Sequence, residues 1–128
     1  MMINDNLKTV VITGATGGIG VSIVDKFYKM GWNIIALGRR DNGFKYSDSS
    51  RYHFVLCDLE DINSVSDACT NILKVTESID VLMLNAGAVE MASIKDSSQH
   101  LIDKLFKINF CSHFHIIRML EDSIRLRD

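Results

Sequence analysis

The sequence predicts an α/β fold, a doubly wound parallel sheet of about four strands in the order 3-2-1-4 with helices on both faces. Short, almost continuously apolar runs alternate with segments of helical periodicity. Such runs are typical of parallel strands that are buried on both faces, and right-handed crossovers place the connecting helices above and below the sheet. The 128 residues correspond to one domain, since domains have roughly 100 to 200 residues. We therefore expect a single domain over residues 1–128.

The first predicted unit is a strand, a glycine turn and a helix. Residues 7–13 (LKTVVIT) form a short β-branched run that ends at Gly14, and apolar side chains recur at helical spacing from Gly18 onwards. Gly31 ends this helix, as a glycine after a helix commonly does. Residues 32–37 (WNIIAL) then form the second strand.

The remaining elements repeat this alternation. Residues 54–57 form the third strand, a helix over 61–76 follows the acidic segment 58–61, and residues 80–84 form the fourth strand. Ser97 or Ser98 can cap a long last helix. Six residues of that helix fall near one face: Leu101, Leu105, Asn109, Ser112, Ile116 and Leu120. The polar residues 41–51 are predicted to be a mobile loop.

Composition argues against several classes of function. The net charge is -2 and no basic run is present, so we expect no nucleic acid partner. No apolar stretch approaches the roughly 18 residues of a membrane helix, and the start does not resemble a signal peptide, so we expect a cytoplasmic protein without a membrane partner. The three cysteines and four histidines lack the spacing of metal ligands, so no metal site is expected.

The strongest functional signal is the glycine-rich segment 13–20, Thr-Gly-Ala-Thr-Gly-Gly-Ile-Gly, between the first strand and the first helix. Gly14 allows a tight exit from the strand, Gly18 lets the backbone approach a pyrophosphate, and Gly20 lets the helix pack closely on the sheet. The start of the helix offers free amides and a partial positive charge. These features predict a dinucleotide site in a Rossmann-like fold, with a structural glycine turn as the alternative.

The spacing of this turn, TGxxxGxG, and four later segments resemble the short-chain dehydrogenase/reductase family. The four segments occur in the family's order and are Gly38-Arg39-Arg40, Cys57-Asp58-Leu59, Asn85-Ala86-Gly87 and Ile108-Asn109-Phe110. The resemblance runs from Leu7 to about Leu120 and corresponds to the amino-terminal half of the family. It implies an oxidoreductase that transfers hydride between a nicotinamide cofactor and a carbonyl or alcohol substrate.

The resemblance also implies which residues bind the cofactor. They are Thr13, Gly14, Thr16, Gly18, Ile19, Gly20, Arg39, Arg40, Asp58, Leu59, Asn85, Ala86 and Gly87. Asp58 would contact the adenine amino group; the alternative role is an acid at a helix start, and the two roles are compatible. Residues 85–87 would shape the crevice, or form a polar turn. Asn109 would be the family's active-site Asn, which positions a water in a proton relay, or an ordinary buried amide with satisfied hydrogen bonds.

Charge predicts which nicotinamide cofactor is preferred. An acid about 20 residues after the glycine turn binds the 2′-hydroxyl of NAD, whereas a cation there accommodates a 2′-phosphate. Arg39 stands at this position and Arg40 follows it, so NADP(H) is preferred and NAD(H) is possible. The two arginines could instead be solvated surface charges. Thr16 stands where many NADP-preferring relatives carry a basic residue, which weakens the phosphate site.

The family's catalytic Ser, Tyr and Lys have no counterpart in the sequence. No tyrosine is followed by a lysine four residues later, because the residues after Tyr28, Tyr46 and Tyr52 at that spacing are Trp32, Ser50 and Leu56. We therefore expect an inactive half-domain that holds chiefly the adenosine and phosphate part of the cofactor. The alternatives are a catalytically silent nucleotide-binding or oligomerising module, and a remnant in which the glycine turn is only scaffold.

An exposed fourth strand predicts self-association. Residues 81–84 would present unpaired amides at a sheet edge, and such edges favour pairing with another chain. We therefore expect a homo-oligomer that covers this strand or the last helix. The candidate contact residues on that helix are Phe106, Phe110, Phe114 and Ile117.

Overall fold

A computed structural model describes residues 3–41 and 45–125. Four strands form the sheet: β1 Thr9–Ile12, β2 Asn33–Gly38, β3 Tyr52–Leu56 and β4 Val81–Met83. Four α-helices surround it: α1 Gly18–Lys29, α2 Ile62–Val75, α3 Gln99–Phe106 and α4 Ser112–Arg125. A π-helical turn over Lys107–Cys111 joins α3 to α4.

The sheet is parallel with the order β3-β2-β1-β4, which confirms the predicted fold class. In the register, Val11 of β1 lies between Ile35 of β2 and Leu82 of β4. All residues of β1 are buried, as expected for a central strand that is covered on both faces. Because the strands are parallel, their carboxyl ends meet at one edge of the sheet.

Alternate residues of the central strands contribute to two separate hydrophobic cores. On one face Val11 and Ile35 pack with Ile72 of α2 and Ile116 of α4. On the other face Val10, Ile12 and Ile34 pack with Val24 of α1. This division follows from the two-residue period of a strand, which sends successive side chains to opposite faces. Helices therefore cover both faces, as predicted.

The element boundaries differ from the predicted ones by a few residues. β3 starts at Tyr52, two residues before the predicted start, because its ladder with β2 extends to the Ile34 and Tyr52 pair. β4 is only three residues long. Asp80 has a structural role beside it: its carboxylate accepts a hydrogen bond from the Thr9 N–H at 2.7 Å, and its own N–H donates to the Thr9 carbonyl.

The last helix is not the uniform helix that was predicted. It begins where expected, because the Ser98 hydroxyl accepts a hydrogen bond from the Leu101 N–H at 3.1 Å. The π-helical turn then widens the backbone, since its hydrogen bonds span five residues instead of four. The wider turn shifts the register of the side chains, so Asn109 is exposed while Ser112 and Ile116 are buried. The alternative that Asn109 is an ordinary buried amide is therefore wrong.

Residues 45–51, part of the segment predicted to be a mobile loop, are attached to α1. The Tyr46 ring stacks on Tyr28 with centroids 3.6 Å apart, and its hydroxyl donates to Asp25. Arg51 donates to the carbonyls of Tyr28 and Trp32. Residues 42–44 of the predicted loop lie outside the described residues. Within the described part of the chain, no helix is long and apolar enough to cross a membrane.

Candidate functional site

A groove of about 940 Å³ opens at the carboxyl ends of the four strands. The loop that follows each strand contributes to its walls, and Lys104 of α3 and Ile108 of the π-helical turn complete them. The groove lies where the chain order reverses, with β2 on one side of β1 and β4 on the other. Ligands of open α/β sheets bind at such a switch point.

The groove brings together all the residues for which the sequence predicts cofactor contact, and Asn109 is not among its lining residues. The predicted residues in its walls are Thr13, Gly14, Thr16, Gly18, Ile19, Gly20, Arg39, Arg40, Asp58, Leu59, Asn85, Ala86 and Gly87. Further lining residues absent from that set are Gly17, Leu37, Gly38, Cys57, Glu60, Ala88, Lys104 and Ile108. Their binding of a cofactor remains a prediction.

The glycine turn is shaped by two close approaches. Gly14 has φ +62°, and a Cβ placed on it would lie 2.8 Å from the Cα of Ala86. Only glycine combines this left-handed conformation with such a close neighbour. A Cβ on Gly20 would overlap the carbonyl of Gly14. Gly20 therefore allows α1 to approach the turn itself, whereas the sequence suggested close packing on the sheet.

The start of α1 faces no such obstruction. A Cβ added to Gly18 would meet nothing within 4 Å, and the preceding Gly17 offers no side-chain cap to the first amides of the helix. An α-helix leaves its first N–H groups without partners in the helix, and its N-terminus carries a partial positive charge. This part of the groove can therefore receive an anion.

Two hydrogen bonds join the loop after β4 to the glycine turn. The Thr13 hydroxyl accepts from the Ala86 N–H at 3.0 Å, and the Asn85 carboxamide donates to the Gly14 carbonyl at 3.3 Å. The Thr13 side chain is fully buried, so its hydroxyl holds the loop in place. These two predicted cofactor-binding residues thus fix the distance between the two loops that line the centre of the groove.

Asn109 organises the loop after β4 from the other side. Its carboxamide accepts a hydrogen bond from the Ala88 N–H and donates one to the Ala88 carbonyl, each at 2.8 Å. A Cβ on Gly87 would lie 2.9 Å from the Asn109 Oδ1. The absence of a side chain at Gly87 therefore lets Asn109 reach the loop.

The loop after β3 is ordered by its own polar groups. The Asp58 carboxylate accepts from the Glu60 N–H at 3.0 Å, and the Asp58 N–H donates to the Ser64 hydroxyl at 2.9 Å. Asp61, and not Asp58, caps α2 by accepting from the Asn63 N–H. Asp61 therefore supplies the capping carboxylate of α2, and Asp58 lines the groove.

Charges of both signs line the groove. Arg39 and Arg40 follow β2 and are exposed, while Asp58 and Glu60 follow β3. Lys104 lies with its Nζ 3.6 Å from an oxygen of Glu60. The groove lining therefore contains three cations and two carboxylates.

Cys57 also borders the groove, but its environment makes it an inert thiol. Burial raises the pKa of Cys57 to about 12, with smaller contributions from Cys69 and Asp58. Since the thiolate is the reactive form of cysteine, Cys57 is protonated and unreactive near neutral pH.

The chain matches the family model for short chain dehydrogenases over residues 8–125. It is 34% identical over 119 residues to the 3-oxoacyl-acyl-carrier-protein reductase FabG of Buchnera aphidicola, covering 90% of this chain and 48% of that protein. It is 33% identical over 100 residues to dehydrogenase/reductase SDR family member 7B of Xenopus tropicalis, covering 69% of this chain and 32% of that protein. The chain thus spans half or less of the length of these relatives.

Solved structures share the fold. A short-chain dehydrogenase from Streptomyces avermitilis superposes with a TM-score of 0.87 at 21% identity, covering 97% of this chain and 47% of that one. L-sorbose reductase from Gluconobacter frateurii, solved in complex with NADPH and L-sorbose, has a TM-score of 0.85 at 23% identity, with 94% and 48% covered. With the sheet order, the glycine turn and the match over residues 8–125, these similarities show that the chain belongs to the short-chain dehydrogenase/reductase family of oxidoreductases.

Proposed function

We propose that this chain forms the NADP(H)-binding half of an oxidoreductase that transfers hydride between the nicotinamide cofactor and a carbonyl or alcohol substrate. The observation that carries the proposal is the groove at the switch point of the sheet, with the start of α1 on one side and two arginines at the end of β2. By itself this half binds the cofactor without catalysing its oxidation or reduction.

The pyrophosphate of the cofactor would lie at the start of α1. The open space at Gly18 admits the phosphates to the backbone, and the amides at the start of α1 donate hydrogen bonds to them. No side chain competes for those amides at Gly17. The affinity of this subsite comes from backbone groups, so it depends on the shape of the turn more than on the side chains within it.

The two arginines would select NADP(H) over NAD(H). The guanidinium groups of Arg39 and Arg40 are exposed at the end of β2, where the ribose of a dinucleotide lies in this fold. Guanidinium groups make forked, charge-assisted hydrogen bonds to phosphate. Thr16 contributes no charge, and its hydroxyl would lie 2.9 Å from a Cβ on Gly38, so it packs against the end of β2.

The adenine would lie between the loops after β3 and β4. Asp58 offers a carboxylate to the adenine amino group, and its backbone turn is fixed by the hydrogen bond to the Glu60 N–H. Leu59, Ala86 and Ile108 supply apolar surface for the ring. The nicotinamide end needs further residues, because the family's Tyr, Lys and Ser are absent from the 128 residues.

When bound, the cofactor supplies or accepts the hydride. The residues of this chain bind it, orient it and hold the loop after β4. We propose that Asn109 acts as a positioning residue, because both polar atoms of its side chain are engaged by Ala88. No tyrosine with a lysine four residues later is available to transfer the proton.

A second candidate function, an oligomerising module, is favoured by exposed apolar surface. Among the described residues β4 pairs only with β1, which leaves its other edge open. Phe106, Phe110 and Phe114 are each about 60% exposed on the same stretch of helix. We propose that a second copy of the chain covers β4 or this helical surface.

The binding of the adenosine half of NADP tests the proposal most simply. Calorimetric titration with adenosine 2′,5′-bisphosphate, and with adenosine 5′-phosphate as the matched ligand, isolates the contribution of the 2′-phosphate. We expect the bisphosphate to bind at least tenfold more tightly, since one well-placed charged contact contributes about 1.5–3 kcal/mol. Equal affinities would contradict the NADP(H) preference, and no binding of either ligand would contradict a working groove.

An activity assay separates the binding half from an enzyme. With NADPH bound at saturation and small ketones supplied as substrates, we expect no oxidation of NADPH above that of buffer. Turnover by the 128-residue chain would show that it carries its own proton donor. It would contradict the proposal that this half binds the cofactor without catalysing its oxidation or reduction.

A further inference from the structure

Lys104 connects two loops that border the groove. Its Nζ lies 3.6 Å from the Glu60 Oε1 and 3.6 Å from the Glu90 Oε1. Glu60 follows β3, Glu90 follows β4, and Lys104 stands near the end of α3, so three segments that are distant in sequence meet at one ammonium group. We call Lys104, Glu60 and Glu90 the Lys104 clasp.

The clasp differs from the other ion pairs of the described residues. Asp25 pairs with Lys29 and Lys45 on the outer surface of α1, and Glu121 pairs with Arg125 one turn away on α4. None of these residues lines the groove, whereas Lys104 and Glu60 both do. Lys104 therefore combines a structural link with a charge on the groove wall.

Each loop in the clasp already has one fixed point. Glu60 is held by its N–H, which donates to the Asp58 carboxylate, and the loop after β4 is held by Asn109 at Ala88. Lys104 adds a second attachment to each loop, at the Glu60 side chain after β3 and at Glu90, two residues beyond Ala88, after β4. The two loops are thereby tied to the same helix, α3, and Glu60 belongs to the same loop as Asp58.

We propose that Lys104 is a positioning residue for the dinucleotide. The ammonium group of Lys104 neutralises Glu60 and Glu90 and holds their two loops at the adenosine end of the groove. The inference rests on the proposed function. The physical basis of the inference is charge repulsion. The dinucleotide carries several negative charges, and the Glu60 carboxylate lies on the wall of the groove that receives it. Without Lys104 the groove lining would contain two cations and two carboxylates. The Glu90 carboxylate would also lose the cation that neutralises it.

The expected size of the effect is moderate. The side chains of Lys104, Glu60 and Glu90 are 35%, 44% and 52% exposed, so solvent screens each pair. Exposed pairs contribute little individually, and for two pairs that share one cation we expect a change in affinity of about three- to tenfold. Screening also predicts salt dependence, because the Debye length falls from about 30 Å at 0.01 M to about 3 Å at 1 M.

Calorimetric titration of the full chain with NADP⁺ at low and high salt tests the proposal. Lys104→Met removes the charge and keeps the length of the side chain, and Lys104→Arg restores the charge. Lys74→Met is the matched control. Lys74 is exposed in the last turn of α2, at the end of that helix that is away from the groove-lining loop after β3. All three substitutions replace partly or fully exposed residues, so the fold is expected to persist and is checked by circular dichroism.

We expect Lys104→Met to weaken NADP⁺ binding about three- to tenfold at low salt and by less than twofold at high salt. Lys104→Arg should restore affinity to within about twofold, and Lys74→Met should leave it unchanged. An affinity of Lys104→Met equal to that of the wild type at low salt would overturn the role of Lys104 while leaving the proposed function intact. Absence of NADP⁺ binding by the wild type would overturn the proposed function and this inference together.

Discussion

The carboxamide of Asn109 pairs with the backbone of Ala88 through two hydrogen bonds of 2.8 Å, one accepted and one donated. The π-helical turn over Lys107–Cys111 carries Asn109 to the exposed side of the last helix, where the loop after β4 passes. Gly87 leaves room for the approach, since a Cβ there would lie 2.9 Å from the Asn109 Oδ1. One side chain thus couples an irregular helical turn to the wall of the groove.

Substitution of Asn109 should loosen that wall. Asn109→Ala removes both hydrogen bonds to Ala88, and because the site is exposed we expect a loss of only about 0.5–1.5 kcal/mol in the free energy of unfolding per bond. Binding of NADP⁺ should weaken as well, because Ala88 lines the groove. Urea denaturation and calorimetry measure the two effects. Asn71→Ala, at an exposed position on α2, serves as the control, and equal behaviour of the two variants would refute the role of Asn109.

Two glycines of the turn should separate stability from binding. Gly20→Ala places a methyl group onto the Gly14 carbonyl, so the turn must shift, and we expect destabilisation by about 2 kcal/mol or more. Gly18→Ala meets nothing within 4 Å, so stability should be retained or slightly increased, given the better helix propensity of alanine. The methyl group of the alanine at position 18 would nevertheless obstruct the phosphates and weaken NADP⁺ binding. Urea midpoints and NADP⁺ titrations of both variants measure the two effects. A stable Gly20→Ala variant, or a Gly18→Ala variant that binds NADP⁺ as tightly as the wild type, would contradict this prediction.

The three thiols should react at very different rates. Cys111 is exposed, whereas burial raises the pKa of Cys57 to about 12 and that of Cys69 to about 11. At pH 8 we expect a chromogenic disulfide reagent to modify one thiol rapidly and the other two only as the chain unfolds. Cys111→Ser should abolish the rapid phase. Rapid modification of two or more thiols in the folded protein would contradict the described burial.

The same two thiols predict how stability varies at alkaline pH. In the unfolded chain cysteine has a pKa of about 8.5, so below that value both states bind the proton and stability is unaffected. As the pH rises further, the unfolded chain releases protons that folded Cys57 and Cys69 retain. The free energy of unfolding should therefore decrease from about pH 8.5 towards pH 11. Cys69→Ala should show a shallower decrease, measured by urea denaturation at each pH.

Self-association should depend on the exposed phenylalanines of the last helical stretch. We expect the chain to form a homo-oligomer at high concentration and the double substitution Phe106→Glu and Phe110→Glu to return it to a monomer, because buried, unpaired charges oppose an interface. Light scattering measures the mass. Met30→Glu, at an exposed apolar residue after α1, is the control for added charge. A wild-type chain that remains monomeric at high concentration would rule out this proposal.

The sequence predicted the strand order and most of the groove because their signals are local. Helices begin at caps such as Ser98, and the segments 13–20, 38–40, 57–59 and 85–87 each begin at the last residue of a strand or within two residues after it. Parallel strands bring such segments together without any knowledge of side-chain packing. The topology of the sheet therefore carries most of the prediction.

The parts that were not predicted depend on packing between distant segments. Nothing in the spacing of apolar residues marks the π-helical turn, since 3.6-residue periodicity continues on both sides of it. Lys104 enters the groove wall only because α3 crosses the loops after β3 and β4. Likewise, Tyr46 attaches the segment 45–51 to α1 by stacking on Tyr28, a contact between residues 18 positions apart.

The most direct test of the proposed NADP(H) site is calorimetric titration of the wild-type chain with NADP⁺, with NAD⁺ as the comparison. We expect saturable binding of NADP⁺ at one site per chain and clearly weaker binding of NAD⁺, because only NADP⁺ carries the 2′-phosphate that we propose Arg39 and Arg40 bind. A folded sample that binds neither dinucleotide would contradict the proposed cofactor site, and the glycine turn would then serve only to shape the fold.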